Sequence, residues 1–314
     1  MTGRLVISLD FEMFWGVAAS RTLAQYGSNV QGEWEAIPLI LKAFRQRGIR
    51  ATWATVGMLM CKDFSQWQEI RPAVLPSYAA LPGSSYDLGA VARENPSLFF
   101  GRALVKQIIE TPGQELGSHS YSHLYCSDKG VTVGQFAADL ACAAEIFQDM
   151  GLTPRSFVFP RNQVRREFLD VLRTAGYRVF RGNSAHWLYA SGHQTKLGLL
   201  GRAVRLADAY LPISGNRPSV PECIEGMTNC PASYFLRPYS IRAGGLHRLH
   251  RQRLKQAMEV AAKQGGVFHL WWHPHNFGQS VLGNVTGLED LLDYFLTLRD
   301  RYGMESSTMG DCQR

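Results

Sequence analysis

His119 and His123 stand four residues apart in Glu115-Leu-Gly-Ser-His-Ser-Tyr-Ser-His-Leu-Tyr125. If the chain turns helically beyond Gly117, that spacing lets two imidazoles close on one metal ion. A divalent metal also wants a third protein ligand and an open position for water. The start of the chain, Leu5-Val-Ile-Ser-Leu-Asp10-Phe-Glu12, supplies two carboxylates two residues apart, on one face at the end of an apolar strand. One carboxylate to ligate and one to handle a proton is the equipment of a metal-assisted hydrolase. Two further polar clusters follow apolar runs: Pro160-Arg161-Asn162, and His273 with His275. Trp15, Trp187, Trp271 and Trp272 offer flat faces on which a sugar ring can stack, although most tryptophans fill cores.

Those clusters need elements to carry them. Residues 4–10 read as a strand, 33–47 as a helix ended by Gly48, and 49–56 as a second strand. Such a β-α-β beginning implies parallel strands with helical crossovers. Helices are expected near 97–110, 133–150, 165–175, 248–263 and 288–299, with strands at 156–163, 177–181 and 267–272. Residues 61–95 and 183–246 break the rhythm with proline, glycine and serine, and read as irregular insertions in a single domain spanning 1–314. The alternation predicts an α/β barrel-like fold, in which strand C-terminal ends gather the chemistry. All four clusters end predicted strands. An Asp-x-Glu or a His-x-x-x-His alone is often a solvated edge or a capping group; four clusters in register argue for one site.

The 314 residues are 46% hydrophobic and 19% charged, with a moderate formal net charge of +7 that reads either as a solvated surface with excess arginine or as affinity for anionic ligands such as nucleotide-linked or lipid-linked sugars. The one dense basic run, His247 to Lys255, has leucines spaced for one helix face, so nucleic acid is not expected as a partner. No run approaches the ~18 apolar residues of a membrane span. No charged start with an apolar run precedes the first strand, so a cytoplasmic location is expected. Six cysteines without a Cys-x-x-Cys pair read as reduced thiols, and Cys126 as a small buried residue.

In order, Asp10-Phe-Glu12, His119-Ser-Tyr-Ser-His123, Phe159-Pro160-Arg161 and Leu270-Trp-Trp-His273 resemble the motifs of the polysaccharide deacetylase family (NodB homology, carbohydrate esterase family 4). The resemblance runs from residue 5 to about 275, outside the two insertions. It implies a distorted, incomplete (β/α) barrel of the glycoside hydrolase/deacetylase type, and metal-dependent removal of acetyl groups from N-acetylated sugars. Carried over by position, it makes Asp10 the general base, and Glu12, His119 and His123 the ligands of a divalent cation, zinc first, with nickel, cobalt or iron as alternatives. The backbone N–H of Arg161 would hold the oxyanion, and His273 would protonate the leaving amine. Asn162, His275, Trp15, Trp187 and Trp272 are expected around the substrate. The implied setting is assembly of lipopolysaccharide or capsule. The alternatives are hydrolysis of a non-sugar amide, or glycan binding without turnover. Two departures stand out: Asp-x-Glu replaces the family's adjacent aspartates, and Val158 replaces an arginine that orients the base. Arg161 or Arg181 would have to take over that role.

Overall fold

A computed structural model describes residues 2–80, 83–184, 186, 188–189, 198–216 and 218–313. Its strands are β1 Arg4–Phe11, β2 Ala51–Thr55, β3 Gln114–Ser118, β4 Ser156–Val158, β5 Val179–Arg181, β6 Glu222–Ile224, β7 Met227–Asn229, β8 Tyr234–Phe235, β9 Val267–Trp272 and β10 Glu305–Ser307. They form one curled sheet in the order β6-β7-β5-β4-β3-β2-β1-β9-β8, parallel except for β6 against β7. The second short strand of β1's register, β10, lies beside Arg4–Val6 on the edge that β2 occupies farther along. This is the expected distorted, incomplete barrel.

Alternation along β1 explains how the strand serves two layers. Leu5, Ile7, Leu9 and Phe11 join the large outer core against the helices. Val6 faces inward and packs with Ala54, Val158, Val179, Val267 and Met309. Ser8, Asp10 and Glu12 continue that inner face toward the strand's C-terminal end, a polar stack above an apolar floor. On β9 the same rule puts Phe268, Leu270 and Trp272 in the outer core. His269, Trp271 and His273 therefore share the inner face.

The helix Glu33–Arg47 runs as the sequence predicts and ends at Gly48, whose φ of 64° is the left-handed cap that glycine adopts without strain. The helices Arg102–Glu110, Val133–Asp149, Leu246–Gln264 and Val281–Tyr302 complete the outer layer. Among the described residues no helix is long and apolar enough to cross a membrane.

The second insertion departs from expectation. Residues 183–246 contain the helix Leu199–Asp208 and the strands β6, β7 and β8. The stretch 227–236 bonds to β5 through Thr228, Cys230 and Ala232, then changes partner and bonds to β9 through Ser233 and Leu236. It thereby brings the two ends of the sheet to one segment. The first insertion also packs: Trp67, from its helix Phe64–Glu69, stacks on Trp15 at 5.9 Å.

Candidate active site

Glu12 is the hub. Its Oε1 lies 3.1 Å from Nε2 of His119, 3.4 Å from Nε2 of His123 and 3.5 Å from Nε2 of His273. Its Oε2 lies 3.8 Å from Nε2 of His275. β1 delivers this carboxylate, and the helix Met13–Val17 turns over it; a Cβ on Gly16 would collide with the Glu12 side chain. Only glycine leaves that room.

His119 and His123 reach the hub from a loop, not from the helical turn that their spacing suggested. β3 ends at Ser118, and Ser120 and His123 take left-handed φ values of 62° and 55°. Such backbone persists only where surrounding bonds over-determine it. Here the bonds come from Asp139, buried in the helix Val133–Asp149, which accepts from the N–H groups of Tyr121 at 2.7 Å and Ser122 at 3.0 Å. The rings end 5.2 Å apart, on one side of Glu12.

The donor set fits a divalent cation. His119 Nδ1 lies 2.8 Å from the Val158 carbonyl, which can only accept, so this nitrogen carries the proton. In the neutral ring Nε2 then turns its lone pair on a carboxylate oxygen, and a cation between the two removes that opposition. Among the described residues the buried His123 Nε2 and His275 Nε2 have no hydrogen-bond partner. The ligand atoms of Glu12, His119 and His123 all lie within 4.8 Å of one another, as do those of Glu12, His273 and His275. Burial would raise the pKa of Glu12, but the facing imidazoles of His123 and His273 outweigh it and hold it well below the ordinary carboxylate range. Burial lowers His123, against the pull of Glu12, which favours the neutral ligating form.

Asp10 is pinned. Arg181, fully buried at the end of β5, gives it two parallel bonds of 2.6 and 2.7 Å. Arg181 also donates to Ser8 Oγ at 3.0 Å and to Asn162 Oδ1 at 3.1 and 2.8 Å. Burial alone would raise Asp10; Arg181 and His119 outweigh it and lower the pKa. Of the two arginines that could replace the one absent at Val158, Arg181 is therefore the one that meets the carboxylate. The Arg161 guanidinium lies instead over the Tyr125 ring at 4.8 Å, while its backbone turns at a φ of 57°.

His273 Nε2 sits between the acids, 3.7 Å from Asp10 Oδ2 and 3.5 Å from Glu12 Oε1. Burial pushes its pKa down to about 4. Of the four histidines around Glu12 it is the most open, with 23% of its side chain exposed. His275 is turned by Tyr26, whose hydroxyl lies 2.9 Å from Nδ1. Tyr26 comes from the helix Leu23–Gln31, in a segment where sequence periodicity marked no element.

Two expected substrate contacts lie elsewhere. Trp15 is 1% exposed, wedged among Trp67, Phe99 and Phe100, and donates its indole N–H to the Phe99 carbonyl. Trp272 is fully buried against Phe277 and Phe44 on the outer face of β9. Both serve the core. Trp187 lies outside the described residues. Trp271 is the tryptophan on the inner face; its ring carries the Arg181 guanidinium at 4.6 Å. Asn162 supports Arg181 and also borders the cavity beside His273. His269 is buried on the same inner face as His273, 2.8 Å from Ser8 Oγ. Sequence reasoning missed Asp139 and Tyr26 altogether.

The polysaccharide deacetylase family model matches residues 31–180, a span that holds His119, His123 and Arg161 but not Asp10, Glu12 or His273. No curated protein matches the sequence. Among solved structures the fold is similar to a Mycobacterium smegmatis protein classed as a polysaccharide deacetylase: 12% identity, 99% of this chain and 89% of that chain covered, TM-score 0.62. It is also similar to a GH57-type branching enzyme from Pyrococcus horikoshii, at 12% identity, 99% and 70% coverage and a TM-score of 0.58. A third similar structure is Puue allantoinase, at 12% identity, 98% and 87% coverage and a TM-score of 0.56.

Proposed function

We infer, for a chain that is a divergent member of the polysaccharide deacetylase family and hence a hydrolase of non-peptide carbon–nitrogen bonds, that it removes the acetyl group from an N-acetylated sugar. The substrate in this reading is a nucleotide-linked or lipid-linked intermediate of cell-surface polysaccharide assembly, handled on the cytoplasmic side. One observation carries it: three imidazole nitrogens meet Glu12 Oε1 at 3.1, 3.4 and 3.5 Å beside an arginine-clamped second carboxylate.

Glu12, His119 and His123 would hold the divalent metal, which when bound polarises the acetyl carbonyl and acidifies water. Asp10 takes the proton of the attacking water, its oxygens kept in line by Arg181. In this reading the N–H of Arg161, whose backbone turns at a left-handed φ of 57°, holds the oxygen on which negative charge develops. Burial keeps His273 neutral, so it delivers only a proton that it has first received. Asp10 Oδ2, at 3.7 Å, is the source. The protonated His273 then passes that proton to the departing sugar nitrogen, and Asp10 is returned to its ionised form.

Metal analysis of the purified chain, together with acetate release from nucleotide-linked N-acetyl sugars, tests this reading. His119→Ala should lose the metal. Asp10→Asn should keep it and lose about 100-fold or more in turnover. Full activity in Asp10→Asn would refute the assignment of the base. Turnover of cyclic amides without any acetate release would move the reaction to a non-sugar amide, and metal-free folded protein would leave glycan binding alone.

A further inference from the structure

A cavity of about 340 Å³ opens beside His273, larger than the catalytic residues themselves require. β9 gives it Trp271 and His273, and the stretch 227–236 gives it Ala232 to Phe235. Among the described residues three arginines also line it: Arg205, Arg237 and Arg253, from the second insertion and the helix Leu246–Gln264. Asp208 is the one acid among the described lining residues, and it is already engaged. It accepts from the Tyr189 hydroxyl, and from the Ser214 N–H at 2.6 Å and hydroxyl at 2.9 Å.

Among the described residues, two of the arginines lack a counter-charge. Arg253 is 2% exposed; one terminal nitrogen donates to the Gly215 carbonyl at 2.7 Å, the other to Asn216, and its buried Nε has no partner among the described residues. Its guanidinium lies 5.0 Å from the Tyr234 ring centre. Arg237 lies 5.7 Å from the Tyr210 ring centre. Neither forms an ion pair among the described residues, although burying an unpaired guanidinium such as that of Arg253 costs stability. A guanidinium is the side chain best shaped to grip carboxylate or phosphate oxygens in pairs.

We propose that this chamber seats an anionic group of the substrate, a carboxylate or phosphate borne by the sugar whose amide lies at His273, gripped by Arg237 and Arg253. The assignment of the amide rests on the deacetylase reading above. Trp271 lines the same chamber as His273, Arg237 and Arg253. The Arg181 guanidinium lies over its ring at 4.6 Å, and in this proposal the ring serves as a platform for the sugar.

Calorimetric titration of the full chain tests the chamber without requiring turnover. The probes are uridine diphosphate, glucuronate and neutral N-acetylglucosamine. At least one anion should bind tenfold or more tighter than the neutral sugar. Arg237→Gln should erase that difference and leave both Tm and the affinity for N-acetylglucosamine unchanged; Arg253→Lys should weaken it. Preference for uridine diphosphate identifies phosphate as the group, and preference for glucuronate identifies carboxylate. Equal binding of all three probes, or an anion preference that survives Arg237→Gln, overturns the proposal. If the preference is present and falls with Arg237→Gln while no N-acetyl sugar releases acetate, the deacetylase reading fails and the chamber assignment stands.

Discussion

Glu33 is fully buried, and neither carboxyl oxygen has a hydrogen-bond partner among the described residues. Burial and the nearby charge of Glu12 push its pKa well above the ordinary value, with the backbone of His275 opposing them. A carboxyl raised in the folded state favours folding below its unfolded pKa, and that contribution is lost as pH rises through the folded value. Glu33→Gln should therefore raise Tm by a few degrees at pH 8 and add nothing at pH 4, as read by thermal melts across that range. Legibility at this scale depends on whether a residue's partner lies near in sequence. Asp10 and Glu12 stand at the end of a strand that is apolar but for Ser8, so their placement could be read from the chain. That Arg181 clamps Asp10 could be entertained but not decided, because the contact spans 171 residues. The tryptophans follow a simpler rule: once His273 faces inward, alternation sends Trp271 and His269 with it and Trp272 outward.

At the scale of elements, the loop of His119 and His123 depends on one distant side chain. Asp139→Ala would leave the N–H groups of Tyr121 and Ser122 buried without their acceptor, at a cost of about 1–3 kcal/mol each. It should also weaken metal affinity about 10–100-fold by freeing the ligand loop. A chelator titration followed by metal analysis checks the second effect, and denaturant unfolding the first. Helical spacing identified the helix that carries Asp139 but could not say that this acid turns inward to hold another loop. The helix Glu33–Arg47 was legible to its ends because its own apolar spacing and Gly48 mark it. β7 and β8 were not: three residues and two are too few to show a period, and Pro231 stands between them. Their strand character comes from the ladders on either side.

For the whole molecule, the last residues close the floor of the barrel. β10 lies along β1, Met309 and Cys312 pack with Val6 and Val158, and the Gly310 N–H donates to Glu115 at 3.0 Å. Deleting residues 305–314 should lower Tm by roughly 5–10 °C, measured by scanning calorimetry, since two buried apolar side chains and a strand are lost. The overall barrel was legible because its strands and helices alternate; the closing of its seam was not, because it is made between segments remote in sequence. That seam has a consequence for how the molecule can change. Ala232, Ser233, Tyr234 and Phe235 are at once the wall of the chamber and the link between the sheet's two margins. Inserting or deleting a residue there to reshape the cavity would slide one margin out of register. New ligand preferences at this wall are thus open to exchanges of side chain, while changes in length are free to accumulate only farther out in the insertion.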